Sequence, residues 1–114
     1  MPEPRADVLQ GTLDLMVLTT LDAMGPQHGF GIARRIEQVS GNAILLNQGT
    51  IYASLLRLQQ RGWIKADWGT SENNRRAKFY EITSAGRQRL KHEAANWTRI
   101  ADVMSRLLRQ SERG

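Results

Sequence analysis

Arg75, Arg76 and Lys78 place three cations within four positions with no acid between them, directly after Asn73 and Asn74. Such a cluster attracts phosphate, and an arginine on a narrow tip can enter a minor groove, where the potential is most negative. A second group runs Asn47-Gln-Gly-Thr50, followed by Tyr52 and Ala53. Gln48 offers an amide suited to adenine, Thr50 a hydroxyl suited to phosphate, and Gly49 and Ala53 are small enough to let a backbone approach base edges. Asn47 suits a helix cap better than a phosphate contact. His28, Gly29 and Phe30 form a third group, whose amides at a helix start can meet phosphate; His28 is equally suited to capping that helix. Catalytic chemistry has little to work with: His28 and His92 are the only histidines, there is no cysteine, and Gly29-Phe-Gly31 lacks a third spaced glycine. We expect no enzyme activity, no cofactor and no metal, and read Asp14, Asp22, Asp67 and Asp102 as exposed acids.

The elements that must position these groups are marked by short breaks at Gly25-Pro26, Gly41-Asn42, Gly62 and Gly69. Leu9, Leu13, Met16, Val17, Thr20 and Leu21 recur at helical spacing and predict a first helix from Asp7 to Ala23. A second helix is expected from about Gly29 to Val39, with Ile32, Ile36 and Val39 inward and Arg34 and Arg35 outward as weaker contact candidates. Asn47 should cap a third helix over Gln48 to Arg61, closed by Gly62. On that helix Ile51, Leu55 and Leu58 share one side, and Gly49, Tyr52, Ala53 and Gln60 the other, with Leu56 interrupting its polarity. Trp63 to Trp68 and Lys78 to Ile82 read as an antiparallel hairpin, its two tryptophans as packing residues.

Thr83 should cap a long last helix on which Leu90, Ala94, Trp97, Ala101, Met104 and Leu108 form a heptad seam, widened by Ile100, Val103 and Leu107. That is more apolar surface than one small domain can cover, so self-association through this helix and Leu9, Leu13 and Met16 of the first is expected. Trp97 could pack at that interface, wall a ligand pocket, or pack on the first helix.

Net charge is +5, from 16 Lys and Arg against 11 Asp and Glu in 114 residues. Its distribution is informative, because residues 1–28 carry −3 while residues 29–80 carry +5. The middle of the chain should therefore face a polyanion. No apolar run approaches the ~20 residues of a membrane span, and the N-terminus has no apolar signal core, so a soluble, cytoplasmic protein without a membrane partner is expected.

The string Leu46-Asn-Gln-Gly-Thr-Ile-Tyr52 with Leu55, Leu58 and Gly62-Trp-Ile64 resembles the recognition-helix signature of the PadR family. Gly25-Pro-Gln-His-Gly-Phe-Gly-Ile32 is similar to that family's turn into its second helix. Asn74-Arg-Arg-Ala-Lys-Phe-Tyr80 with Ile82-Thr-Ser-Ala-Gly86 resembles its wing and the start of its last helix. The resemblance spans roughly residues 8–110 in order. It implies a mainly α, winged helix-turn-helix fold with a two-stranded β-hairpin wing and a long C-terminal dimerisation helix. It also implies a repressor binding double-stranded DNA as a homodimer through its terminal helices, in many members released by a small, often aromatic, effector. Residues 1–82 would form the DNA-binding domain and 83–114 the dimerisation helix of a short-tailed member. A winged module that joins proteins without binding DNA is the competing reading, since fold alone does not fix function. RNA is disfavoured, because A-form grooves do not admit a recognition helix.

Overall fold

Leu13, Val17, Leu18 and Leu21 follow helical spacing and fold as the buried side of α1 (Gln10–Met24) in a computed structural model that describes residues 9–113. The expected helix start at Asp7 lies outside the described residues. Gly25 ends α1 with φ +79°, its N–H bonding the carbonyl of Leu21 at 3.0 Å. The chain continues through β1 (Gln27–His28), α2 (Gly29–Val39), α3 (Gln48–Gln60), β2 (Ile64–Thr70), β3 (Arg76–Ile82) and α4 (Ser84–Arg113).

The hairpin is the expected one, but its limits differ. Both strands run seven residues, with Ile64 opposite Ile82 and Thr70 opposite Arg76, so Arg76 lies inside a strand and only Ser71–Arg75 turn. β1 adds a third, two-residue antiparallel strand on the far side of β3, pairing Gln27 with Tyr80 and His28 with Phe79. Two residues carry no alternation from which a strand can be read.

One core joins α1, α2, α3 and the hairpin. Leu13, Val17, Leu18 and Leu21 of α1 meet Ile32, Ala33 and Ile36 of α2, Ile51, Leu55 and Leu58 of α3, and Ile64, Tyr80 and Ile82 of the sheet. Burying each large apolar side chain contributes roughly 1.5 to 3 kcal/mol before entropy is counted. Leu13, expected at an interface between copies, is 2% exposed and belongs to this core. Val39, expected inward, is 72% exposed at the end of α2, where the helix has passed the core.

α3 closes with a Schellman arrangement around Gly62, φ +75°: the Trp63 N–H bonds Leu58 O and the Gly62 N–H bonds Gln59 O, each at 3.0 Å. The Thr83 hydroxyl donates to Gly62 O at 2.8 Å and accepts from the Gly86 N–H at 3.0 Å, so one side chain caps α4 and fixes it to the end of α3. Gly86 is required there, because a Cβ would stand 2.0 Å from the Trp63 carbonyl oxygen. Beyond Leu90, which packs on the core, Trp97, Ile100, Val103, Met104, Leu107 and Leu108 are exposed.

Candidate nucleic-acid interface

The two helix starts expected to meet phosphate are both built by side-chain caps. Asn47 Oδ1 accepts from the Thr50 N–H at 2.8 Å and from the Thr50 hydroxyl at 2.9 Å, which opens α3 and orients that hydroxyl. His28 Nδ1 accepts from the Gly31 N–H at 2.9 Å and opens α2. Its ring meets Phe79 edge-on, with centroids 5.6 Å apart. Gly29 is buried, with Ile51, Tyr52 and Leu55 around the place a Cβ would occupy, so it faces α3 and offers no open surface.

α3 buries Ile51, Ser54, Leu55 and Leu58 and exposes Gln48, Gly49, Thr50, Tyr52, Ala53 and Leu56. The recognition face expected from the helical wheel is thus open. Strand register sorts the hairpin in the same manner. Tyr80, Lys78 and Arg76 share one face of β3 with Ala66, Trp68 and Thr70 of β2. That face is buried at Tyr80 and exposed at Trp68, Arg76 and Lys78. At the turn, Asn74 adopts φ +58°, and the Ser71 N–H bonds the Arg75 carbonyl at 2.8 Å.

Two concave surfaces gather the expected residues. A cleft between the N-terminal end of α2, Tyr52 and the wing is lined by His28, Gly29, Phe30, Arg75, Arg76 and Lys78, with Arg34, Arg35 and Trp68 beside them. A shallower depression holds Asn47, Gly49, Thr50 and Ala53 with Gln10, Leu13 and Arg57. Gln48 and Asn74 line neither. Among the described residues no carboxylate lies within ion-pair distance of Arg75, Arg76 or Lys78. Their charge is therefore available to an anion. Lys78 Nζ stands 5.9 Å from the Tyr80 ring centroid. Burial, with Tyr52 nearby, raises the Tyr80 phenol above its usual value.

Two expectations are corrected here. Asp14, read as an exposed acid, is 9% exposed and accepts from Ser54 Oγ at 2.6 Å and from Arg57 Nη2 at 2.7 Å. The hydrogen bond to Asp14 raises the Arg57 guanidinium pKa further, keeping it charged in a partly desolvated place. Trp68, read as a packing residue, is 61% exposed on the wing. Trp63 does pack, half-buried against the core with Arg61 and Arg89 over its ring at 5.2 and 5.0 Å. No group of metal-ligating side chains occurs among the described residues, and none of their helices is long and apolar enough to cross a membrane.

Apart from Leu13, the residues expected for self-association lie outside these two clefts. Leu9, Ala94, Trp97, Ile100, Met104 and Leu108 are exposed, while Met16 and Ala101 are half-buried. An apolar groove of about 560 Å³ runs between α1 and α2, lined by Leu15, Met16, Thr20, Met24, Ile36 and Trp97 among others.

An open third helix, an amphipathic second helix packed against it through Ile32, Ala33 and Ile36, and a cationic hairpin beside both define a winged helix-turn-helix protein of the DNA-binding kind. Residues 17–92 match the transcriptional regulator PadR-like family, and the chain belongs to it. The family assigns it to DNA-binding transcription regulation. An uncharacterised protein of Lysinibacillus sphaericus is 26% identical over 100 residues, covering 88% of this chain and 91% of that one. Among solved structures, a transcriptional regulator from Clostridium thermocellum is 27% identical with a TM-score of 0.78, covering 89% of this chain and 97% of that one. A PadR family transcription regulator from Clostridium difficile is 28% identical with a TM-score of 0.71, covering 84% and 97%.

Proposed function

We propose that the chain acts as a homodimeric repressor that reads a pseudo-palindromic operator in double-stranded DNA. In this reading residues 1–82 bind DNA and residues 83–114 hold two copies together in the cytoplasm. The observation that carries it is the cation cluster Arg75, Arg76 and Lys78, which meets no carboxylate among the described residues and lines one cleft with the start of α2 and with Tyr52 of α3. A recognition helix supplies base contacts, and flanking cations fix its register on the phosphates. Pairing through α1 and α4 would cover Trp97, Ile100, Met104 and Leu108, whose exposure within a single chain favours a partner of the same kind. Two copies would then present two α3 helices to half-sites about one turn, ~34 Å, apart. The apolar groove beside Trp97 would accept a small aromatic effector.

Selection of bound fragments from random duplex DNA tests the reading. A recovered inverted repeat with half-sites near one turn apart supports it. Recovery of unrelated sequences, or of none at low salt, overturns it and favours a module that joins proteins.

A further inference from the structure

We propose that Trp68 touches the bound duplex, its indole laid against a deoxyribose of the backbone while Arg76, stacked on it, reaches the adjoining phosphate. The inference rests on the DNA-binding reading and adds to it an uncharged residue that charge counting does not find. The inner face of the hairpin forms a ladder of facing pairs: Ile64 with Ile82, Ala66 with Tyr80, Trp68 with Lys78, and Thr70 with Arg76. The first two rungs close the core, since Ile64, Ile82 and Tyr80 are all under 5% exposed. At the third rung the indole is 61% exposed, so packing does not account for the largest side chain on the strand. One contact it does make is with the Arg76 guanidinium, 4.9 Å from the ring centroid, a diagonal neighbour on the same face. Arg76 meets no carboxylate among the described residues, and it lines the same cleft as Trp68, Phe30 and Tyr52. An anion that reaches Arg76 therefore arrives beside the open part of the indole. A nucleic-acid backbone fits both partners, because its phosphates are anionic and its sugars offer apolar C–H surface. A cross-strand stack that merely stiffens the hairpin would need no such position.

The test uses the full chain labelled with 5-fluorotryptophan, whose three ¹⁹F signals are assigned with Trp63→Phe, Trp68→Phe and Trp97→Phe. The probe is a mixed-sequence duplex of about three helical turns at low salt. We expect the Trp68 signal to move on titration. Trp68→Ala should weaken affinity about fivefold to tenfold with the slope of log affinity against log salt unchanged, because an indole displaces no counterion. Trp68→Phe should recover most of the loss, and Arg76→Ala should reduce the slope by about one unit. A still Trp68 signal while the duplex binds, parental affinity in Trp68→Ala, or a slope that falls in Trp68→Ala would each overturn the contact. If Trp68→Ala fails to fold, the Phe variant and the labelled parent still decide. A parent that binds no duplex overturns the DNA-binding reading itself, a result distinct from a bound duplex that leaves Trp68 undisturbed.

Discussion

Asp14 of α1 holds Arg57 of α3 by both carboxylate oxygens, Oδ1 to Nη2 at 2.7 Å and Oδ2 to Nε at 3.1 Å. Ser54, one turn earlier on α3, adds a third bond to Oδ1. α3 is thereby fixed to α1 through polar groups set within an apolar contact. Asp14→Ala leaves a partly buried guanidinium and a buried hydroxyl without their acceptor. Breaking a fully buried pair costs about 3 to 5 kcal/mol, and with Arg57 23% exposed we expect about 2 kcal/mol here. Urea unfolding should show the loss as a lower midpoint with an unchanged slope. An unchanged midpoint would mean that water replaces the carboxylate without cost.

Tyr80 is expected to make the fold sensitive to alkali. Its phenol is held in the protonated form by burial first and by Tyr52 second, so the folded state keeps this proton more tightly than the unfolded chain. The resulting stability is full below the unfolded pKa of about 10 and falls as pH rises from there through the folded value. Urea midpoints followed from neutral pH to about pH 11 should decline at the alkaline end, and less steeply in Tyr80→Phe. Identical alkaline declines in the two proteins would assign the effect to other groups.

The parts of this fold legible in sequence are those decided by local chemistry. Asn47, Gly62 and Thr83 act as the helix-end residues they resemble, because a cap needs only a side chain and the next turn of backbone. The exposed face of α3 follows from its period alone. Asp14 is not legible as a buried acid because its partners lie 40 and 43 positions away, and a lone acid on a helix shows nothing of them. Arg57 and Ser54, three residues apart and so on one face of α3, are the available signal that a polar partner is needed there. Leu13 belongs to the core rather than to an interface, a distinction that helical spacing cannot make, because it identifies an apolar stripe without saying what covers it. Trp68 misleads for the converse reason: strand alternation puts it on the inner face, yet the inner face outruns the core.

Arg75 and Arg76 should act on DNA through charge. Replacing both with alanine is expected to weaken binding to every duplex alike and to flatten the salt dependence by roughly one unit of log–log slope for each phosphate left unneutralised. Fluorescence anisotropy across a salt series measures both effects. A slope equal to the parent's would take the wing off the phosphates and leave α3 and the start of α2 as the contact surface.

Trp97 decides whether α4 is an interface between copies. It is 52% exposed within one chain, on the same stripe as Ile100, Met104 and Leu108, and it borders the apolar groove along α1. If a second copy covers that stripe, Trp97→Asp places a carboxylate in an apolar contact where no partner is at hand, at a cost of several kcal/mol in the dimer. In a lone chain the same carboxylate would remain in water, so the fold itself should survive, as far-ultraviolet circular dichroism can establish. Sedimentation velocity should find the parent dimeric and Trp97→Asp monomeric at equal concentration. DNA affinity should fall with it, because two half-sites would no longer be held by one particle. A variant that stays dimeric on dilution would move the interface off this seam and leave the exposed stripe of α4 for another occupant.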